Sequence, residues 1–82
     1  MGTSRGMIKD WLLRGKKNNC SHVIVVCDTF DYEDYPVFVK QGDDVRKVFN
    51  AHSGINMQRV MEVYNLSLDI EKQLNEHRAM NF

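Results

Sequence analysis

No charge of either sign predominates in this chain of 82 residues: 11 basic side chains face 11 acidic ones, for a net charge near zero. Such a balance is not built for general neutralisation of nucleic-acid phosphates. Long apolar runs are missing as well. No stretch approaches the roughly 20 residues that cross a bilayer, so no membrane association is expected. The first residues lack the apolar segment of a secretory signal. Cysteine is scarce: Cys20 and Cys27 form no CxxC pair, which disfavours a zinc or thiol–disulfide motif. With Cys27 inside a strand and Cys20 ahead of it, the two thiols lie too far apart to bond. Two free thiols fit a reducing cytoplasm, the expected location. His22, His52 and His77 are scattered, with no HxxxH or HExxH spacing. There is no G-x-S-x-G elbow and no glycine-rich phosphate loop. A Cys27/His dyad is the one nucleophilic arrangement left open, and a strand-interior cysteine reads first as packing. No cofactor is implied.

What is present centres on Ser21–Lys40, SHVIVVCDTFDYEDYPVFVK. An unbroken apolar run, Val23 to Cys27, meets an acidic and aromatic segment, and a second apolar run, Val37 to Val39, follows. This is the pattern of a β-hairpin with a long charged tip. The first run does not alternate, so both faces of its strand are expected to be covered, which makes it the central strand. The single proline, Pro36, stands at the start of the second strand, where a missing N–H is tolerated at a sheet edge.

Around the hairpin the chain reads as helix and strand in turn. Met7, Ile8, Trp11, Leu12 and Leu13 have helical spacing, with Gly15 as the stop. Asp43 and Asp44 offer an N-cap, and Val45, Val48 and Phe49 form an i, i+3, i+4 stripe ended by Gly54. Residues 56–66 are ambiguous: Met57, Val60, Met61 and Tyr64 fit one helical face, yet RVMEVYNL is rich in strand formers, and the strand reading is preferred. Ser67 or Asp69 then caps a helix over Leu68–Arg78, with Leu68, Ile70 and Leu74 inward. Val25 and Leu74 are expected to meet across one sheet–helix interface. His77 falls near the end of this helix, where a cation is favoured.

The resulting fold class is α+β, a single small domain over residues 7–82, ordered αββαβα with a three-stranded antiparallel sheet in the order 2-1-3. The alternative, with 56–66 helical, is αββαα around a two-stranded hairpin. Residues 1–6 read as a flexible tail or an expression remnant, with Met7 as the natural start.

Charge is unevenly spread along this frame. Residues 1–22 carry five bases against Asp10, a net +4; residues 23–44 carry six acids against Lys40, a net −5; the remainder is +1. Three constellations follow. The carboxylates Asp28, Asp31, Glu33 and Asp34 are hard oxygen donors on one loop and form a candidate Mg²⁺ or Ca²⁺ site. They lack the glycine and terminal glutamate of an EF-hand, and the plainer reading is a solvated, charge-blunted hairpin tip. The aromatics Phe30, Tyr32, Tyr35 and Phe38 interleave with those acids, as recognition surfaces often do; the competing reading folds Tyr35 and Phe38 into the core and Phe30 or Tyr32 back over the sheet. The basic residues Lys9, Arg14, Lys16 and Lys17 on the first helix are the weaker candidate for a nucleic-acid contact.

The segments VVCDTFDYEDYPVFV and NMQRVMEVYNLSLDIEKQLNEHR resemble those of short uncharacterised proteins of phage and bacterial genomes. The resemblance covers most of the chain after Met7 and brings no established activity, so it implies an accessory or mobile-element protein and assigns no residue a role.

The reading is therefore a small non-enzymatic protein-interaction or accessory domain that binds a macromolecular partner or itself. The expected contact residues are Phe30, Asp31, Tyr32, Glu33, Asp34 and Tyr35 of the loop and Arg59, Met61 and Val63 of the third strand, whose edge looks poorly guarded and open to a second copy of the chain. The alternatives are a metal-dependent enzyme or binding site on the loop carboxylates and a nucleic-acid-associated factor using the basic helix.

Overall fold

The computed structural model describes residues 4–54, 57–76 and 78–82. Along the chain, α1 (Arg5–Lys17), β1 (Cys20–Asp28), β2 (Glu33–Lys40), α2 (Val45–His52), β3 (Gln58–Asn65) and α3 (Ile70–Leu74) follow one another. The strands form one sheet in the order β2-β1-β3, and both pairings are antiparallel. This is the αββαβα, 2-1-3 arrangement expected from the sequence. The reading of His77 lies outside the described residues, as do residues 1–3 of the expected tail.

β1 is the axis of the domain. Val23, Ile24, Val25 and Val26 are all fully buried, because each face of the sheet has its own cover. On one face Val23, Val25 and Tyr64 pack against Ile8, Trp11 and Leu12 of α1 and Leu74 of α3, so Val25 and Leu74 do share an interface. On the other face Ile24, Val26, Val39, Val60 and Val63 pack beneath Val45, Val48 and Phe49 of α2 and beneath Met80 and Phe82. Two apolar faces on one strand leave no room for a polar alternate residue, which is why the run is unbroken.

α1 starts two residues before Met7. Ser4 caps it, its Oγ accepting from the Met7 N–H at 3.3 Å. The residues it buries, Ile8, Trp11, Leu12 and Gly15, repeat at i, i+3, i+4 and i+7, while Met7 and Leu13 point to solvent. Gly15 is not the stop. It lies inside the helix, and a Cβ there would sit 3.0 Å from Val23 Cγ2 and 3.1 Å from Leu66 Cδ1. The glycine lets the helix approach the sheet; the helix ends at Asn18, whose N–H bonds back to the carbonyls of Arg14 and Gly15, while the Asn19 N–H bonds to that of Lys16.

β3 carries a bulge. Val25 pairs with Glu62 and Val26 with Val60, so Met61 is the extra residue. Val60 and Val63, three apart, thereby enter the same core, and Met61 and Tyr64 enter the other. α3 is shorter than expected. Asp69 caps it, accepting from the Lys72 N–H at 3.1 Å, but the helix closes at Asn75 and Leu68 stays outside the core. The chain then turns and runs beside β3.

That turn closes the β3 edge. The Val63 N–H donates to the Ala79 carbonyl at 2.8 Å, and the Asn81 N–H donates to the Val63 carbonyl at 3.0 Å, a parallel bridge between Val63 and Met80. One step along, the Asn65 N–H and carbonyl are both taken by the Gln73 amide at 2.8 Å. Arg78 Nε donates to the Met61 carbonyl at 3.3 Å. Phe82 anchors the segment: its ring lies edge-on to Phe49 at 5.2 Å, with the Arg46 guanidinium 4.4 Å above it. The expected open edge is therefore corrected. Val63 is fully buried, Met61 is half-buried against the core, and the outward backbone groups from Met61 to Asn65 are bonded within the chain.

The β2 edge differs. Because Val63 bonds outward, its partner Ile24 turns its own N–H and carbonyl toward β2, and the next residue, Val25, bonds toward β3. Pro36, opposite Val25, then presents its missing N–H to solvent, as an edge proline must.

Candidate functional site

The hairpin tip begins as an Asx turn. Asp28 Oδ1 accepts from the Phe30 N–H at 2.8 Å, and the Asp28 carbonyl accepts from the Tyr32 N–H at 2.6 Å. This local bonding holds Tyr32 at φ +56°, a left-handed conformation that an aromatic residue seldom adopts. Phe30 and Tyr32 are consequently thrust outward, with 72% and 67% of their surface exposed. Neither folds back over the sheet.

The start of β3 meets the tip. The Thr29 N–H and Oγ both donate to the Met57 carbonyl, at 2.7 and 2.9 Å. Met57 is also left-handed, at φ +61°, and 61% exposed. Two non-glycine residues in a costly backbone region, both with large apolar side chains in solvent, thus flank one end of the sheet. Asp31 and Glu33 stand exposed between and beside them, and Arg59 lies opposite Cys27 in the ladder at the same end. The Cys27 thiol is held above its ordinary value by burial first and by its hydrogen bond to Asp34 second, so it stays protonated and unreactive.

The other expected contact residues divide. Tyr35 is half-buried and packs against the α2-side core, and Asp34, half-buried, faces Cys27 across the ladder. Both are supports of the tip rather than its face. Among the described residues no three His, Cys, Asp or Glu side chains converge where they could hold a metal ion. The four loop carboxylates are spread out by the turn: Asp28 binds its own backbone, Asp31 sits at the tip, and Glu33 and Asp34, adjacent on β2, leave on opposite sides of the strand.

The basic helix is partly engaged in internal contacts. Lys9 forms an ion pair with Glu71, which with the accompanying hydrogen bond raises the Lys9 pKa. Arg5 donates to the Leu74 carbonyl and, at 3.2 Å, to Asn75 Oδ1. Arg14, Lys16 and Lys17 remain, in the last turn of α1. They gather at the end of the sheet away from the tip, roughly 25 Å along β1, beside a cavity of about 320 Å³ whose walls include Lys16 and His22. Nothing in the sequence pattern foretells this cavity, because its walls come from separate stretches of chain; the only local trace is the polar cluster from Lys16 to His22.

No family model matches the chain, and neither a curated protein nor a solved structure does. Among the described residues no helix is long and apolar enough to cross a membrane.

Proposed function

We propose that this domain is a non-enzymatic recognition module that binds a protein partner through the hairpin-tip end of its sheet. The observation that carries the reading is the concentration of Phe30, Tyr32 and Met57, three large apolar side chains exposed by more than 60% each, at one end of a domain whose other aromatics are largely packed. Rigid aromatic anchors bring large contact area at small entropic cost, and the left-handed backbone of Tyr32 and Met57 fixes two of the three side chains before the partner arrives. Asp31 and Glu33 beside them call for a basic rim on the partner and set orientation and on-rate. An accessory role in a phage or mobile element fits a domain of this size and the resemblance of its segments to short phage and bacterial proteins, and the two free thiols fit the cytoplasm.

A second copy of the chain is the alternative partner, because Lys16 and Lys17 make the far end of the sheet basic. Partners captured on the wild-type domain should be lost with Phe30→Ser/Tyr32→Ser and retained with Leu13→Ser, an exposed apolar residue on α1. The dissociation constant of a purified partner should rise at least about tenfold for the tip variant, and added salt should slow its association. Equal affinity of both variants for that partner rules the reading out. Sedimentation over a wide concentration range separates self-association from binding of another protein.

A further inference from the structure

We infer that the partner of the hairpin tip is a second copy of this chain, which receives the tip in the cavity at the opposite, basic end of its sheet. Tyr32 of one copy seats in the cavity of the next, and Asp31 and Glu33 meet Lys16 and Lys17 at its rim. The inference rests on the tip being a recognition surface and names the partner of that same site. The two ends match in shape. The tip projects: a bond to the Asp28 carbonyl holds the exposed Tyr32 in its left-handed turn. The other end is hollow, where the β1–β2 register slips between Cys20 and His22. Its cavity of about 320 Å³ stands at the lower bound of small-molecule sites, room for one aromatic ring. Leu66 lines it together with Ser21, Gln41 and Ser67. Walls of that mixture suit a phenol, an apolar body with a polar end. The Gln41 amide nitrogen donates to the Cys20 carbonyl at 3.4 Å, which leaves the amide oxygen to accept from the Tyr32 hydroxyl.

The ends match in charge as well. Asp31 and Glu33 are exposed and form no hydrogen bond or ion pair among the described residues. They flank Tyr32 directly, so they arrive with it. Arg59, the base at the same end, is paired with neither. At the other end Lys16 and Lys17 are exposed and equally unpaired, and the cavity walls hold Lys16 and no carboxylate. Asp44 and Asp69 also stand at that end, but each caps a helix. Asp44 accepts from the Arg46 N–H at 3.0 Å, and Asp69 accepts from the Lys72 N–H at 3.1 Å. Asp43 is the acid left to offset the last turn of α1.

A foreign partner would have to supply both a receptacle and a basic rim, whereas a second copy carries the two together. The halves of the contact lie at opposite ends of the sheet, roughly 25 Å apart, so no copy can satisfy its own tip. The contact is therefore heterologous: each added copy brings another free tip and another free cavity, and association continues past two. One ring and a few charges make an interface far below the standard size, and the dissociation constant should lie at roughly 0.1–1 mM.

The test is sedimentation equilibrium of the full chain from about 10 µM to about 2 mM at low salt. The average mass should rise past that of a dimer and return to the monomer in high salt. Tyr32→Ser removes the tip, and Lys16→Glu/Lys17→Glu removes the rim; each variant alone should associate at least about tenfold more weakly. Mixed in equal amounts they hold one intact tip and one intact cavity between them, so the mixture should form a heterodimer and stop there. Lys16→Met/Lys17→Met repeats the experiment should the charge reversal disturb the end of α1. A wild type that stays monomeric or halts at a dimer overturns the inference, and so does a mixture of folded variants that does not associate. The reading of the tip fails separately: a purified foreign partner lost with Phe30→Ser/Tyr32→Ser sustains it even when self-association is absent.

Discussion

The two outer strands meet the same problem in opposite ways. β3 offers a row of unpaired backbone groups next to a face that must be dry, and the chain lays its own material there: residues 78–82, the Gln73 amide and the Arg78 guanidinium take the outward groups one by one. β2 has no such cover among the described residues, and relies on Pro36 and Lys40 to make its edge a poor template. The difference shows that an edge can be guarded at two levels. A guard made of residue types is local and visible in sequence. A guard made of a distant segment laid alongside is not.

The largest effect should come from removing the cover on β3. Gln73→Ala leaves the Asn65 N–H and carbonyl without partners in a half-buried place, and should cost about 2–4 kcal/mol in urea unfolding. A loss under about 0.5 kcal/mol would mean that the edge is not closed by this side chain.

A smaller effect is expected with pH. Tyr64 donates to Glu62 Oε1 at 2.7 Å, and Glu62 Oε2 in turn accepts from the Ala79 N–H at 3.4 Å, so this pair is tied to the covering segment. Burial first, and the Glu62 hydrogen bond and charge second, push the Tyr64 pKa well above its ordinary 10.0. The unfolded chain therefore loses this proton before the folded one. Stability from this group is complete below about pH 10 and declines as pH rises beyond it. Tyr64→Phe should flatten that alkaline decline, at about 1 kcal/mol of stability at neutral pH. A slope unchanged by the substitution, measured from about pH 8 to about pH 11.5, assigns the decline to lysines instead.

The smallest effect on stability lies at β2. Lys40→Val should shift unfolding by less than about 0.5 kcal/mol, yet the variant should associate more strongly with rising concentration, since a guard has been removed while the packing beneath it is untouched. A variant as monomeric as the wild type under sedimentation shows that Pro36 alone suffices.

The same distinction explains how much of the fold is legible in the sequence. Val23 to Cys27 announces the central strand because burial on two faces writes itself as a continuous apolar run, and the 2-1-3 order follows from it. The stretch 56–66 reads ambiguously in sequence for a physical reason: the bulge at Met61 changes the strand period locally, so that Val60 and Val63 share a face as they would on a helix. Gly15 looks like a helix stop because its real duty, close approach to Val23 and Leu66, involves residues that are distant in sequence. Met80 and Phe82 carry no periodicity at all, and only the tertiary seat beneath α2 gives them meaning. At the tip, Phe30 and Tyr32 are recognisable from their setting among acids, whereas Met57 joins them only through the Thr29 bonds. The His22 cavity depends on separate segments meeting at one end of the sheet, and no single segment encodes it.

Gly15 also has a bearing on that cavity. It is the residue just before Lys16, where the helix lies close against the sheet, so the missing methyl works as a gauge block that sets the spacing of the last turn from Val23 and Leu66. In an isolated helix Gly15→Ala is an improvement of about 1 kcal/mol. Here the added carbon would stand 3.0, 3.1 and 3.3 Å from the side chains of Val23, Leu66 and Phe38, so the last turn or those neighbours must give by a few tenths of an ångström. A substitution chosen to stiffen the helix would thus detune the cavity: the dimension that matters at the rim is kept by an atom that is not there.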